Sequence, residues 1–348
     1  MDFFNLTDRT DRKIDISIII CVYNGGEFFK KNIESAGRLK IPDKTGVEFL
    51  FVDNNSTDGS GEIIKEYARK SPGKFRYLFE PTPGKSYALN LAIREAGGEI
   101  LAFTDADTIL PEDWLLRIKD GFEKHDCVAL GGKILPAWET RPPAWLVKDI
   151  KSGKGSFGLN LNEEAGHYSD GVPSGANNAV KKEVFLKYGC FRTDLGPRAE
   201  LYIAGEDTEF FRRIILGKEK IFYYPPMTVY HQIPSSRFDK RPHVQNNFLS
   251  VLRGLRSGTK TADTFKTLLA FPEIIFKLVL SGLGPSRIVS LSAARYRGRL
   301  YKLSSILSYK LFGEKKTIRL ARILRIINRE QEKELIKPSY EDIVRQRN

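Results

Sequence analysis

The sequence predicts an α/β fold, a mostly parallel sheet flanked by helices, carrying a basic, helical C-terminal region. Three observations lead there. Strand-like and helix-like runs alternate from residue 16 to residue 105, and such alternation builds a parallel sheet covered by helices. Each of the four strand runs empties into a loop of polar residues suited to ligands. The fourth run, Ile100-Leu101-Ala102-Phe103-Thr104, is apolar almost to its end and then delivers Asp105 and Asp107. Residues two apart in a strand share a side. Two hard oxygen ligands are therefore expected at the carboxyl edge of a buried sheet, where open α/β sheets bind ligands.

The elements follow in order. Ile16–Val22 is a β-rich run, followed by a helix-compatible segment over about 27–39. Val47–Val52 is the second strand, and Ser56, Thr57 and Asp58 supply good N-cap residues for the helix after it. Phe75–Phe79 is the third strand, with a turn at Pro81-Thr82-Pro83-Gly84. Lys85 to Ala96 reads as a helix stopped by Gly97-Gly98. Pro111-Glu112-Asp113-Trp114 reads as another helix start. From about Leu130 the pattern loosens: Gly131-Gly132, Pro136, Pro142-Pro143 and the glycines at 153–158 predict an irregular stretch of the kind that carries substrate contacts. Helices return at about 181–187 and 207–216, with strand-like runs at Ile221–Tyr224 and Met227–Tyr230.

Length and charge divide the chain. Its 348 residues suffice for one large domain or two ordinary ones. Residues 1–235 hold 32 basic and 34 acidic side chains, a net of −2, whereas residues 236–348 hold 24 and 9, a net of +15. The division expected is therefore 1–235 for the catalytic-looking part and 236–348 for the basic helical part. Residues 268–283 are apolar but interrupted by Pro272, Glu273 and Lys277, too broken to span a bilayer. Residues 315–329 put basic and apolar side chains on opposite faces at helical spacing. Such a region suits an anionic membrane surface; packing on the catalytic part or forming a homodimer would cover the same apolar faces. Cys21, Cys127 and Cys190 are widely spaced, which fits a reducing compartment rather than a disulfide framework or zinc site. The polar N-terminal residues do not read as a signal peptide. A cytoplasmic location is expected, peripheral on the cytoplasmic face of the membrane if the basic region binds there. Nucleic acid is not expected as partner, because the first two-thirds is near neutral and its cleft acidic.

Parallel strands bring the four loops to one edge, where they can line a single cleft. They carry Tyr23-Asn24-Gly25-Gly26, Asp53-Asn54-Asn55-Ser56, Gly84-Lys85-Ser86 and Asp105-Ala106-Asp107. Asp53 can accept from a nucleobase N–H or a ribose hydroxyl, and Lys85 can meet a diphosphate. A phosphate-binding P-loop ending at Gly84-Lys85-Ser86 is excluded, since Phe79 stands where that motif needs glycine. Two nearby carboxylates repel unless a cation or shared proton neutralises them. A divalent metal carrying a phosphate-bearing substrate is the economical reading of Asp105 and Asp107, with turn or N-cap duty as the plain alternative. Glu206-Asp207 suits either a helix N-terminus or a general base exposed to a cleft. His231, at the end of a strand-like run, reads by itself as a surface histidine.

In order along the chain, ISIIICVYNGGEFF, VEFLFVDNNSTDGS, GKSYALNLAI, ILAFTDADTILPEDWL, SGANNAVKKEVFLKYGCF, AGEDTEFFRRI and VYH resemble the family 2 glycosyltransferases over about residues 15–233. The resemblance implies the GT-A type nucleotide-diphospho-sugar transferase fold. It also implies inverting transfer from a nucleoside diphosphate sugar to a glycan or lipid-linked acceptor hydroxyl, in cell-surface polysaccharide or glycolipid assembly. It puts Tyr23, Asn24, Asp53, Lys85, Asp105 and Asn177 in the substrate-binding set. Asp107 and His231 would hold Mg²⁺ or Mn²⁺, and Asp207 would be the general base, supported by Glu206. Cys21 departs from the pattern, since members usually carry Pro or Thr there, which puts a hydroxyl contact to the base in doubt. Two rivals stand beside this reading. Asp105-Ala106-Asp107 is also similar to the motif of haloacid-dehalogenase-type phosphatases, with Asp105 as nucleophile and Asp107 as acid/base, although three strand-and-loop units precede it here. The basic region alone would suit a non-enzymatic protein that binds anionic surfaces.

Overall fold

The computed structural model describes residues 13–151, 157–168, 171–197, 202–203 and 205–238. The basic region expected at 236–348, with its stretches at 268–283 and 315–329, lies outside the described residues beyond Phe238. Four parallel strands open the chain: β1 (Ile16–Val22), β2 (Val47–Asp53), β3 (Phe75–Phe79) and β4 (Ile100–Asp105). Between them run α1 (Gly26–Gly37), α2 (Ser60–Lys70) and α3 (Lys85–Glu95). Then follow β5 (Thr108–Ile109), α4 (Trp114–Lys124), β6 (Ala129–Trp138), α5 (Ala144–Lys151), β7 (Gly166–His167), β8 (Asn177–Lys181) and α6 (Lys182–Tyr188). The remaining elements are β9 (Gly196–Pro197), β10 (Tyr202–Ile203), α7 (Glu206–Leu216) and β11 (Ile221–Ile233). The main sheet has the order β3-β2-β1-β4-β8-β6-β11-β5, with β7 paired to β11. Strand β8 runs antiparallel to both β4 and β6, and β6 runs parallel to β11. The sheet is thus mostly parallel, as expected.

Both faces of the sheet are buried, which is why its strands read as continuous apolar runs rather than alternating ones. Ile18, Ile20, Phe49 and Phe51 belong to one core with Phe29, Ile33 and Trp114. Ile19, Leu50, Val52, Leu101 and Phe103 belong to another with Leu89, Phe185, Phe191 and Phe210. The first core lies against α1, α2 and α4; the second against α3, α6 and α7.

Four local expectations are corrected. Helix α2 begins at Ser60 rather than at Ser56, with Gly59 at its N-cap in the left-handed region. Ser56 and Thr57 instead bind the neighbouring loop, while Asp58 serves both, accepting from the Gly26 N–H and from the N–H of Ser60 at the start of α2. Helix α3 does not end on a left-handed glycine: its C-cap is Ala96 in extended backbone. Gly98 is needed because a Cβ there would press on the backbone of Ser17. The stretch from Leu130, expected to be irregular, contains the ten-residue strand β6. Gly131 and Gly132 are in-strand glycines: a Cβ at 131 would overlap the Tyr168 hydroxyl, and one at 132 the Met227 carbonyl and the Asn177 amide. The two strand-like runs near 221 and 227 are one strand, β11, with a register shift between Tyr224 and Thr228.

Candidate active site

The carboxyl ends of β1 to β4 meet at one edge, and their loops are tied into one network. Asn24, at φ 50°, accepts from the Thr57 N–H at 2.8 Å, and its own N–H donates to Ser56 Oγ. The Gly26 N–H donates to Asp58 at 2.9 Å. Those contacts join the first loop to the second. Asn54 joins the second to the third: its amide donates to the carbonyls of Glu80 and Thr82 and accepts from the Gly84 N–H. Asn32 of α1 donates to the carbonyls of Asp105 and Thr108, fixing the fourth. Asn24 is therefore engaged within the loops, while Tyr23 is 47% exposed at the edge. Asp53 is buried; its carboxylate accepts from the Ser56 N–H at 2.8 Å and faces Gly61 and the Tyr77 hydroxyl.

Lys85 is the first residue of α3, after Gly84 at φ 142°. Its ammonium reaches across the edge to Asp105 Oδ1 at 2.5 Å and lies 3.8 Å from Glu206 Oε1. Burial alone would lower its pKa, but Asp105, Glu206 and Asp207 together raise it well above the usual lysine value. Glu206 and Asp207 open α7. Glu206 is buried and accepts from the Gly205 N–H at 2.9 Å. Burial first, and Asp207 second, hold its carboxyl above the ordinary range, with Lys85 opposing. Asp207 Oδ2 accepts from the Gly175 N–H at 2.9 Å, and Oδ1 from the Thr208 N–H at 2.6 Å. Its carboxylate is thereby aimed rather than free to rotate. The cleft these residues enclose is floored by Cys21, Leu89, Phe103 and Phe191. Register sets Cys21 beside Asp105, and burial pushes its thiol up to about 12.

Asp107 leaves the edge and meets β11. The Gln232 N–H donates to the Asp107 carbonyl at 2.9 Å, and Asp107 Oδ2 lies 3.1 Å from His231 Nε2. His231 is 8% exposed, so the surface-histidine reading is corrected: β11 continues past it and pairs with β5 and β6. His231 Nδ1 lies 2.7 Å from the Phe157 carbonyl. Both ring nitrogens thus face acceptors, so either the ring carries two protons or a cation stands at Nε2. Burial lowers the His231 pKa, but the Asp107 carboxylate outweighs it and raises the value. Among the described residues no group of three or more His, Cys, Asp or Glu could hold a metal by itself. One carboxylate and one imidazole are a donor set for Mn²⁺ or Mg²⁺ that takes its remaining oxygens from a diphosphate. On that chemistry the residues fit.

Asn177 does not join the cleft. It is fully buried on the other side of β8, its amide oxygen accepting from the Trp114 indole at 2.9 Å and its nitrogen donating to the carbonyls of Lys133 and Met227. That makes it a tie between strands and α4 rather than a ligand contact. The neighbouring Asn178 lines the cleft instead. Arg237, near enough to influence Asp107 and His231 electrostatically, was also not singled out; it lies in a short turn of SSRF that carries no motif.

Comparison with known proteins bears on the family and the fold. Residues 17–189 match the profile of glycosyl transferase family 2. The chain is 27% identical over 229 residues to the glucosyl-dolichyl phosphate glucuronosyltransferase of Haloferax volcanii, covering 63% of this chain and 69% of that one. It is 23% identical over 234 residues to the succinoglycan biosynthesis protein ExoM of Rhizobium meliloti, covering 64% and 69%. A Nostoc glycosyltransferase, alr2836, is 31% identical over 115 residues, 33% of this chain and 35% of its own length. The chain thus spans about a third of that relative. Among solved structures, the mannosyltransferase PcManGT of Pyrobaculum calidifontis, in complex with GDP-Man and Mn²⁺, aligns with a TM-score of 0.55 at 19% identity, covering 89% of this chain and 92% of that one. This likeness establishes the GT-A fold. The phosphatase and the non-enzymatic readings are set aside: through residues 17–189 the chain belongs to glycosyl transferase family 2 and is a glycosyltransferase.

Proposed function

We propose that this enzyme transfers a sugar from a nucleoside diphosphate sugar to an acceptor hydroxyl with inversion, and that transfer requires a divalent metal. The observation that carries the reading is the meeting of Lys85, Asp105, Glu206 and Asp207 at one sheet edge, with the Asp107–His231 pair beyond them. Asp207, held by the N–H groups of Gly175 and Thr208, serves as the base that takes the acceptor proton as the hydroxyl attacks in one displacement. Glu206 and Asp105 hold the Lys85 ammonium beside it. Asp107 and His231 would hold Mn²⁺ or Mg²⁺, which when bound neutralises the leaving diphosphate. Tyr23, Asn24 and Asp53 shape the nucleotide end of the cleft. The relatives' names point to a polysaccharide or lipid-linked acceptor.

A panel of nucleoside diphosphate sugars, read by thermal shift with Mn²⁺ and again with excess chelator, tests the reading. Binding to the folded state raises stability by mass action. The donor should raise the Tm only with the metal present. Equal shifts in chelator would remove the metal from the account, and no shift with any member would remove the donor.

A further inference from the structure

One residue that lines the cleft carries a buried polar atom without a hydrogen-bond partner. Asn178 lies on β8, 2% exposed, and lines the cleft with Cys21, Lys85, Asp105, Glu206 and Asp207. Its Nδ2 donates to the Ser174 carbonyl at 2.9 Å, which fixes the amide plane. Its Oδ1 is buried with no hydrogen-bond partner. Most buried polar groups in native proteins are paired, and an exception calls for an explanation. The charge around it is one-sided: three carboxylates stand against one ammonium, and that ammonium is already paired with Asp105. Even with Glu206 protonated the carboxylates outnumber it.

We propose that Asn178 reads the sugar to be transferred: Oδ1 accepts from a hydroxyl or amide N–H of an uncharged donor sugar, a neutral hexose or N-acetylhexosamine. This rests on the nucleotide-sugar reading above and extends it to the class of sugar. An amide oxygen can only accept, so a hydroxyl-bearing ring relieves its unmet bond, while a uronic acid brings a further carboxylate to a cleft already rich in them. Asn178 is a specificity-determining residue on this account.

The test is calorimetric titration, with Mn²⁺, of wild type and Asn178→Leu. The probes are UDP, GDP, UDP-glucose, UDP-galactose, UDP-N-acetylglucosamine, GDP-mannose and UDP-glucuronate. In wild type a neutral sugar should bind more tightly than its bare nucleotide, and UDP-glucuronate more weakly than the best neutral UDP-sugar. In Asn178→Leu the gain from the neutral sugar should fall on the order of tenfold, while affinity for the bare nucleotide stays unchanged, which also shows that the variant is folded. A variant that keeps the full gain would overturn the proposal, since Oδ1 would then be satisfied by a trapped water. UDP-glucuronate binding as tightly as the neutral sugars would overturn it too. Failure of both bare nucleotides to bind wild type would instead remove the nucleotide-sugar reading underneath.

Discussion

At Lys85 one ammonium meets the field of three carboxylates, and most of the chemistry of the cleft follows from that imbalance. Glu206 carries the strain of it, buried and beside Asp207. A carboxyl whose folded-state pKa is raised contributes its stability in full below the unfolded value, near 4.5 for glutamate, and loses it as pH rises through the folded value. Replacing it with a neutral amide removes that loss. Glu206→Gln should therefore gain in Tm relative to wild type as pH is raised from about 4 to 8, measured by thermal melts across the range; a difference constant with pH would contradict the burial account. The same scale shows where sequence reasoning reached its limit. Lys85, Asp105, Glu206 and Asp207 could be named in advance from the order of the motifs along the chain, since singly a carboxylate at a strand end or a helix start serves turns and N-termini as well. Asn177 and Asn178 could not be told apart. Successive strand residues face opposite sides, and nothing in SGANNAV says which side of β8 carries the cleft.

Among the elements, the first four strands were legible because both their faces are buried and their loops end in recognisable turn residues. Strand β6 was not. Gly131, Gly132 and Pro136 read as punctuation, whereas the glycines answer to side chains and carbonyls far away in sequence: Tyr168, Asn177 and Met227. No local pattern encodes such a close approach. Strand β11 was read as two pieces for a related reason, its register shift falling around Pro225-Pro226. Asn177 is the tie that this part of the sheet depends on, linking β8 to α4, β6 and β11 through Trp114, Lys133 and Met227. Asn177→Ala leaves an indole N–H and two carbonyls without their partner, so urea unfolding should show a loss of about 2–4 kcal/mol, with donor affinity of the folded fraction unchanged. Weakened donor binding at unaltered stability would return Asn177 to the binding set.

For the molecule as a whole, four loops locked to one another by Asn24, Asn32, Asn54 and Asp58 hold one edge of the sheet in fixed geometry. Beside that edge α7 supplies its first two residues, and β11 supplies His231. Among the described residues no helix is long and apolar enough to cross a membrane. The account's central claim is that this edge performs sugar transfer with Asp207 as base. The measurement that tests it most directly is nucleoside diphosphate release from the identified donor and acceptor by Asp207→Asn, set beside donor affinity by calorimetry. Loss of a proton acceptor used only in the transition state should lower kcat by roughly two to four orders of magnitude and leave donor affinity nearly intact. Near wild-type turnover in Asp207→Asn would contradict the claim.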